Sequence, residues 1–180
     1  MKLYHGSSSR DIVQFDLSHG RTAVDYGKGV YFTSNFEQAK EWSCRNSSEG
    51  AVYECDIDLS PFKGFNFGAN NEDVYYYIYL CRLELEDIVP DSVDGAEDVD
   101  YVQGVMLDGK IRDFEEIAER FNEGDLSFEE FKNAISFFEE KNQTCIKSDR
   151  AISEINANIT VVHFTKKYGK SVQIENTITR

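Results

Sequence analysis

Apolar positions along the chain follow two periods, one of two residues and one of three to four, which alternate without an internal repeat. Residues 53–59, Tyr-Glu-Cys-Asp-Ile-Asp-Leu, carry an apolar side chain at every second position. That predicts a strand with one buried face and its acids in water. Shorter apolar runs predict strands over residues 3–5, 29–33, 101–107, 143–147 and 159–164. Asn35 is placed to start a helix with its body at 37–42, which the Asn46-Ser47-Ser48 cluster ends. Further on, Ile111, Phe114, Ile117, Ala118 and Phe121 form one helical stripe, and Phe128, Phe131, Ile135 and Phe138 form a second. The turn residues 122–125 between them make a helical hairpin, and another helix is predicted over 148–155. A Tyr-rich segment running to Leu83 fits helix or strand by pattern. Asn70 or Asn71 as cap, with Glu72 and Asp73 just inside, favours helix.

Residues 82–100 hold eight acids and one base around Pro90 and Gly95, which is loop chemistry. No linker separates two units, so the chain reads as a single domain, 1–180, of mixed α+β class. The formal charge of −14 sets it against polyanions and favours a protein over a nucleic acid as macromolecular partner. The apolar run 74–81 is far short of the roughly 18 residues a membrane span needs. Its first residues are too polar for a signal peptide, which points to a cytoplasmic protein. Cys44, Cys55, Cys81 and Cys145 are irregularly spaced, so they are expected to be buried thiols, with no disulfide and no structural metal. Lys166, Lys167, Lys170 and Arg180, against Glu175, form a small basic tail.

Two clusters are polar or glycine-rich where a strand would be apolar. In Leu3-Tyr-His-Gly-Ser7, His5 ends a strand and Gly6 lets another group approach the backbone. In Asp25-Tyr-Gly-Lys-Gly-Val-Tyr-Phe-Thr33, two glycines bracket Lys28 before a strand centred on Tyr31. Neither matches a Walker loop or a dinucleotide fingerprint.

In this order the clusters resemble the catalytic domain of the diphtheria-toxin-like ADP-ribosyltransferases, the group that includes the poly(ADP-ribose) polymerases. The matching pieces are residues 3–7, Gly27-Lys28-Gly29-Val30-Tyr31-Phe32 and a shorter third match, Asn142-Gln143-Thr144-Cys145-Ile146. The chain also looks like an uncharacterised bacterial and phage family of transferase-like domains with a His-Tyr-Gln triad. The resemblance spans residues 2–155. It implies a split mixed β-sheet with flanking helices and an inserted helical hairpin, and NAD as co-substrate in the cleft between its halves.

Carried over, the resemblance makes His5, Tyr31 and Gln143 the catalytic set. His5 would bond the adenosine ribose, and the Gly6 backbone would pair with the nicotinamide amide beside Ser7. Tyr31 would stack on the nicotinamide ring, with Gly29 opening its strand and Trp42 a stacker for the other face. Arg21, with Arg10 and Lys28 as further candidates, would meet the pyrophosphate. Polymerising relatives carry Glu where Gln143 stands. The missing charge, of order 4 kcal/mol at 4 Å and an effective dielectric of 20, would end elongation and leave transfer of single ADP-ribose units. Restoring Glu is expected to retain or raise nicotinamide release. Glu139, Glu140 and Glu175 are other acids for this role, the first two on the exposed side of a helix by periodicity. The resemblance implies a mono-ADP-ribosyltransferase, in a toxin-antitoxin setting with a neutralising partner. An NAD glycohydrolase and an inactive NAD-binding or protein-interaction domain are the alternatives.

Overall fold

The chain is described from a computed structural model covering residues 1–20, 22–68, 72–84, 98–107, 113–135, 137–167 and 170–177. In order, its elements are β1 (Lys2–Ser7), a 3-10 turn at Leu17–His19, β2 (Val30–Phe32), α1 (Phe36–Ser43), β3 (Glu49–Asp56), β4 (Gly64–Asn66) and α2 (Asp73–Arg82). There follow β5 (Tyr101–Leu107), α3 (Phe114–Asn122), α4 (Phe128–Ala134), β6 (Phe137–Ile146), α5 (Asp149–Asn156), β7 (Ile159–Lys167) and β8 (Lys170–Thr177). The strands make two four-stranded sheets, ordered β1-β3-β7-β8 and β2-β6-β5-β4, so the class is mixed α+β. Among the described residues only β4 and β5 pair in parallel; the other neighbours are antiparallel. A bridge outside the named ladders joins β1 to the end of β2: Tyr4 N–H donates to Thr33 O at 2.8 Å and Thr33 N–H returns to Tyr4 O at 2.9 Å.

Alternation along the strands assigns each face its own core. Leu3, Tyr53 and Cys55 of the first sheet and Val30, Phe32 and Ile146 of the second bury into one cluster with Ile152 and Ile155 of α5. This shared core ties the sheets together. The opposite face of the second sheet, with Val102 and Cys145, lies under Tyr77 and Ile78 of α2 and under the α3–α4 hairpin. Phe131 of α4, fully buried, stacks on Phe121 at 4.8 Å and meets Tyr79 edge-on at 5.8 Å. Burying such a ring contributes about 3 kcal/mol, which is what docks the hairpin on α2. A capping box, Ser127 with Glu130, starts α4. On the other face of the first sheet, α1 packs Ala39 against Val52 and Phe164.

Several sequence expectations need correction. The period-two strand runs over Glu49–Asp56 rather than 53–59. β3 is central, and Ala51, Val52 and Tyr53 are buried on both faces, which hides the alternation there. Its end is set by Asp58, whose carboxylate accepts from Ser60 N–H at 2.9 Å and turns the chain. The second hairpin helix stops at Ala134, and Ile135 is extended. Phe138, Glu139 and Glu140 therefore lie in β6, where Phe138 pairs with Met106, and not on a helix. The basic tail is largely sheet: Lys166, Lys167 and Lys170 belong to the β7–β8 hairpin, and Glu175 pairs with His163. The Tyr-rich segment is helical, as α2. Arg21, Asn70, Asn71, Ile111, Arg180 and most of the acidic loop lie outside the described residues. None of the described helices is long and apolar enough to cross a membrane. Cys44, Cys55 and Cys145 are buried, as expected, and Cys81 is half-buried.

Candidate functional site

The two glycine-containing motifs meet where the sheets part. The bridge pairs Tyr4 with Thr33, so the antiparallel register sets Gly6 opposite Tyr31. Tyr4 turns its backbone groups toward β2, and by the period of two Gly6 does the same. In an unbroken ladder the Gly6 N–H would donate to the Tyr31 carbonyl. Here the His5 ring takes that carbonyl, with Nδ1 2.7 Å from Tyr31 O. A carbonyl only accepts, so Nδ1 carries the proton and the neutral ring keeps Nε2 as acceptor. Phe15 meets the imidazole edge-on at 5.0 Å, and Phe32 is tilted against it at 5.7 Å. His5 thus ends the ladder and directs the backbone edge of Gly6 into the split.

Helix α1 roofs this point. A Cβ on Gly6 would lie 1.9 Å from Ala39 O and 3.0 Å from Ser43 N, so the glycine is required by the helix packing itself. Asn35 caps the helix by accepting from Gln38 N–H at 3.2 Å, as its sequence position predicts. Trp42, between the turns that touch Gly6, is half-buried, with the Arg45 guanidinium 4.4 Å over its ring. Ser7 is half-buried and its hydroxyl accepts from Ser9 N–H. A Cβ on Gly29 would lie 2.4 Å from Cys145 Sγ, so β2 also approaches β6 closely.

Tyr31 pairs with Cys145, which places Tyr31 and Gln143 on one face of the second sheet. The Tyr31 hydroxyl donates to Gly27 O at 2.7 Å and accepts from Tyr26 N–H at 2.9 Å. Burial pushes this phenol far above its ordinary range, and it also pushes the Cys145 thiol up to about 12. Gln143 stands inside β6 opposite Gly104, where the sequence places it at a strand start facing the cleft. Its side chain is buried, and Nε2 donates to Asp25 Oδ2 at 2.6 Å and to Val105 O at 3.2 Å. Asp25 Oδ2 also accepts from Leu107 N–H at 3.0 Å. Asp25 Oδ1 takes Arg82 Nε at 2.9 Å and Nη2 at 2.5 Å. Arg82 in turn lies 5.1 Å over the Phe114 ring.

The fold therefore gathers His5, Gly6 and Tyr31 at the split, with Ser7 and Trp42 beside them and Gln143 below, engaged by Asp25. Arg10 is used within the first sheet, donating to His163 Nδ1 at 3.0 Å and Glu49 at 3.1 Å. Lys28 is exposed. Sequence reasoning missed Asp25 and Arg82, and also Gln38 and Asn142, which fasten α1 to β6. Asn142 Oδ1 accepts from Thr33 Oγ1, Ser34 N–H and Ser34 Oγ at 3.0–3.2 Å, and Gln38 Nε2 donates to Asn142 O at 2.8 Å. Asp25 had a signal, a carboxylate opening the glycine cluster. Arg82 reads in the sequence as the single base of the acidic loop, whereas it ends α2, where a base complements the helix terminus. Among the described residues no His, Cys, Asp and Glu group could hold a metal ion.

Neither the curated proteins nor the solved structures contain a match to this chain. A family model described as "Protein of unknown function (DUF3990)" matches residues 1–157, a span that holds all the site residues above. The chain belongs to the DUF3990 family.

Proposed function

We propose that this protein is a mono-ADP-ribosyltransferase that cleaves NAD and transfers one ADP-ribose to a macromolecular acceptor. The observation that carries the reading is the junction at which His5 takes the Tyr31 carbonyl and turns the Gly6 backbone into the split. A primary amide both donates and accepts, and an extended glycine offers it one N–H and one C=O side by side. Nicotinamide held there by its amide would have Tyr31 and Trp42 near its ring faces, and His5 Nε2 would take a ribose hydroxyl. The pyrophosphate contact assigned to Arg21 belongs to the same proposal. With Gln143 in place of an acid, the reading is transfer of single units. The acidic surface favours a protein acceptor, and a toxin acting in the cytoplasm under a neutralising partner fits it.

The engagement of Gln143 by Asp25 favours a second reading, an NAD-binding or protein-interaction domain without chemistry. Incubation with NAD labelled in both nicotinamide and adenylate, alone and with a cell lysate, separates the two. The transferase releases nicotinamide and labels macromolecules, and a glycohydrolase yields free ADP-ribose only. A chain that binds NAD by calorimetry without releasing nicotinamide supports the second reading. Absence of NAD binding refutes the transferase. Tyr31→Ala should weaken NAD binding by about 2–3 kcal/mol in a folded variant.

A further inference from the structure

Gln143 is held by one end of its amide. Its Nε2 faces two groups that only accept, the Asp25 carboxylate and the Val105 carbonyl, so the nitrogen cannot exchange places with the oxygen without setting oxygen against oxygen. The Tyr26 hydroxyl, which also interacts with Gln143, gives its proton to Val105 O at 2.6 Å. Asp25 is itself fixed by the Arg82 fork and the Leu107 N–H and is 5% exposed, so it has no freedom to follow the amide. With both amide hydrogens committed inward, the carbonyl oxygen is what Gln143 offers to anything outside the network.

We infer that Asp25 is a positioning residue that fixes the Gln143 amide so that it presents an acceptor oxygen beside Tyr31. This rests on the transferase reading, in which the partner is a hydroxyl of the nicotinamide ribose. A neutral amide so fixed does the hydrogen-bonding part of what a carboxylate would do there. Free to turn, it would at times present its NH2 group, which can donate to that hydroxyl but cannot accept the hydrogen bond from it, and the acceptor that a carboxylate would supply is lost.

The orientation can be read in the unliganded full chain by NMR with 15N-glutamine labelling. The Gln143 NH2 pair is expected to be strongly protected from hydrogen exchange. Exchange as fast as at exposed glutamines overturns the inference, whatever the chain does with NAD. In nicotinamide release, Asp25→Asn, nearly the same shape but able to donate, should lower kcat by about tenfold or more with KM changed less than about twofold. Adding Gln143→Glu to Asp25→Asn should recover much of the loss, because a carboxylate accepts in either orientation. Wild-type kcat in Asp25→Asn, or no recovery in the double variant, overturns the positioning role. A wild-type chain that neither binds NAD nor releases nicotinamide overturns the transferase reading and with it any role in catalysis, while protected amide protons would still show the fixed orientation.

Discussion

Replacing Asp25 by Ala removes one carboxylate that accepts four hydrogen bonds, two from Arg82 and one each from Leu107 and Gln143. The Leu107 N–H and one Gln143 N–H would be left without an acceptor in a dry site, at about 1–3 kcal/mol each. Arg82 is less demanding: its side chain is 29% exposed against 7% for Asp25, so it can turn to water, and its loss is set near 1 kcal/mol. These add to about 3–7 kcal/mol, and the expected destabilisation is the lower part of that range, about 3–5 kcal/mol, as for breaking a buried pair from one side. That is a large share of the roughly 5–15 kcal/mol that holds a domain folded. Urea unfolding followed by circular dichroism would show it as a midpoint lowered by about 2 M for a slope near 2 kcal/mol/M. Arg82→Met and the double variant complete a cycle in which the double loss should fall short of the sum by about 0.5–3 kcal/mol. A folded Asp25→Ala chain with its midpoint within about 0.5 M of wild type would refute the network as a structural support.

Gly6→Ala puts a methyl group into the Ala39 carbonyl and should cost about 1–3 kcal/mol in thermal or urea unfolding, with NAD binding lost if the split is the cleft. Gln143→Glu sets a second carboxylate within hydrogen-bond distance of Asp25, so one acid must stay protonated and its folded pKa is raised. The variant should be least impaired below about pH 4 and lose stability as pH rises through the raised value; equal losses at pH 5 and pH 8 would contradict this. In the Asp100 carboxyl, burial raises the pKa but is outweighed by bonds from Ser148, Arg150 and the Lys63 N–H, and the net shift is downward. Its contribution is present above about pH 4 and fades as pH falls through the lowered value, so Asp100→Asn should flatten the acid limb of a stability curve. Burial pushes the Cys55 thiol, like that of Cys145, up to about 12, so both should resist a thiol reagent at pH 8 and react once urea unfolds the chain.

Local signals in the sequence identified most helices because these are set by near neighbours: Asn35 caps α1, and the phenylalanine stripes mark α3 and α4. The junction residues His5, Gly6 and Tyr31 were also legible, since a polar ring and a bare glycine at a strand end break the apolar pattern that a core strand keeps. Long-range pairing was not. The glutamate pair at 139–140 fits a helical face, yet it lies in β6 at the irregularity between the Val105–Asn142 and Met106–Phe138 pairs, and nothing near Phe138 announces Met106 as its partner. For Gln143 the sequence shows a lost charge, whereas the fold brings a carboxylate from 118 residues away to its amide. Restoring Glu at that one position therefore sets two acids together, which no local pattern foretells.

The hydrogen bond from His5 to the Tyr31 carbonyl uses the one ring nitrogen that bears hydrogen in both charge states of the imidazole in this tautomer. Adding a proton changes only the far nitrogen, which turns from taking a hydrogen bond to giving one. The strand junction is thus buffered against acid while the chemical preference at its tip inverts. Hydroxyl donors suit the neutral ring, and anionic oxygens suit the charged one.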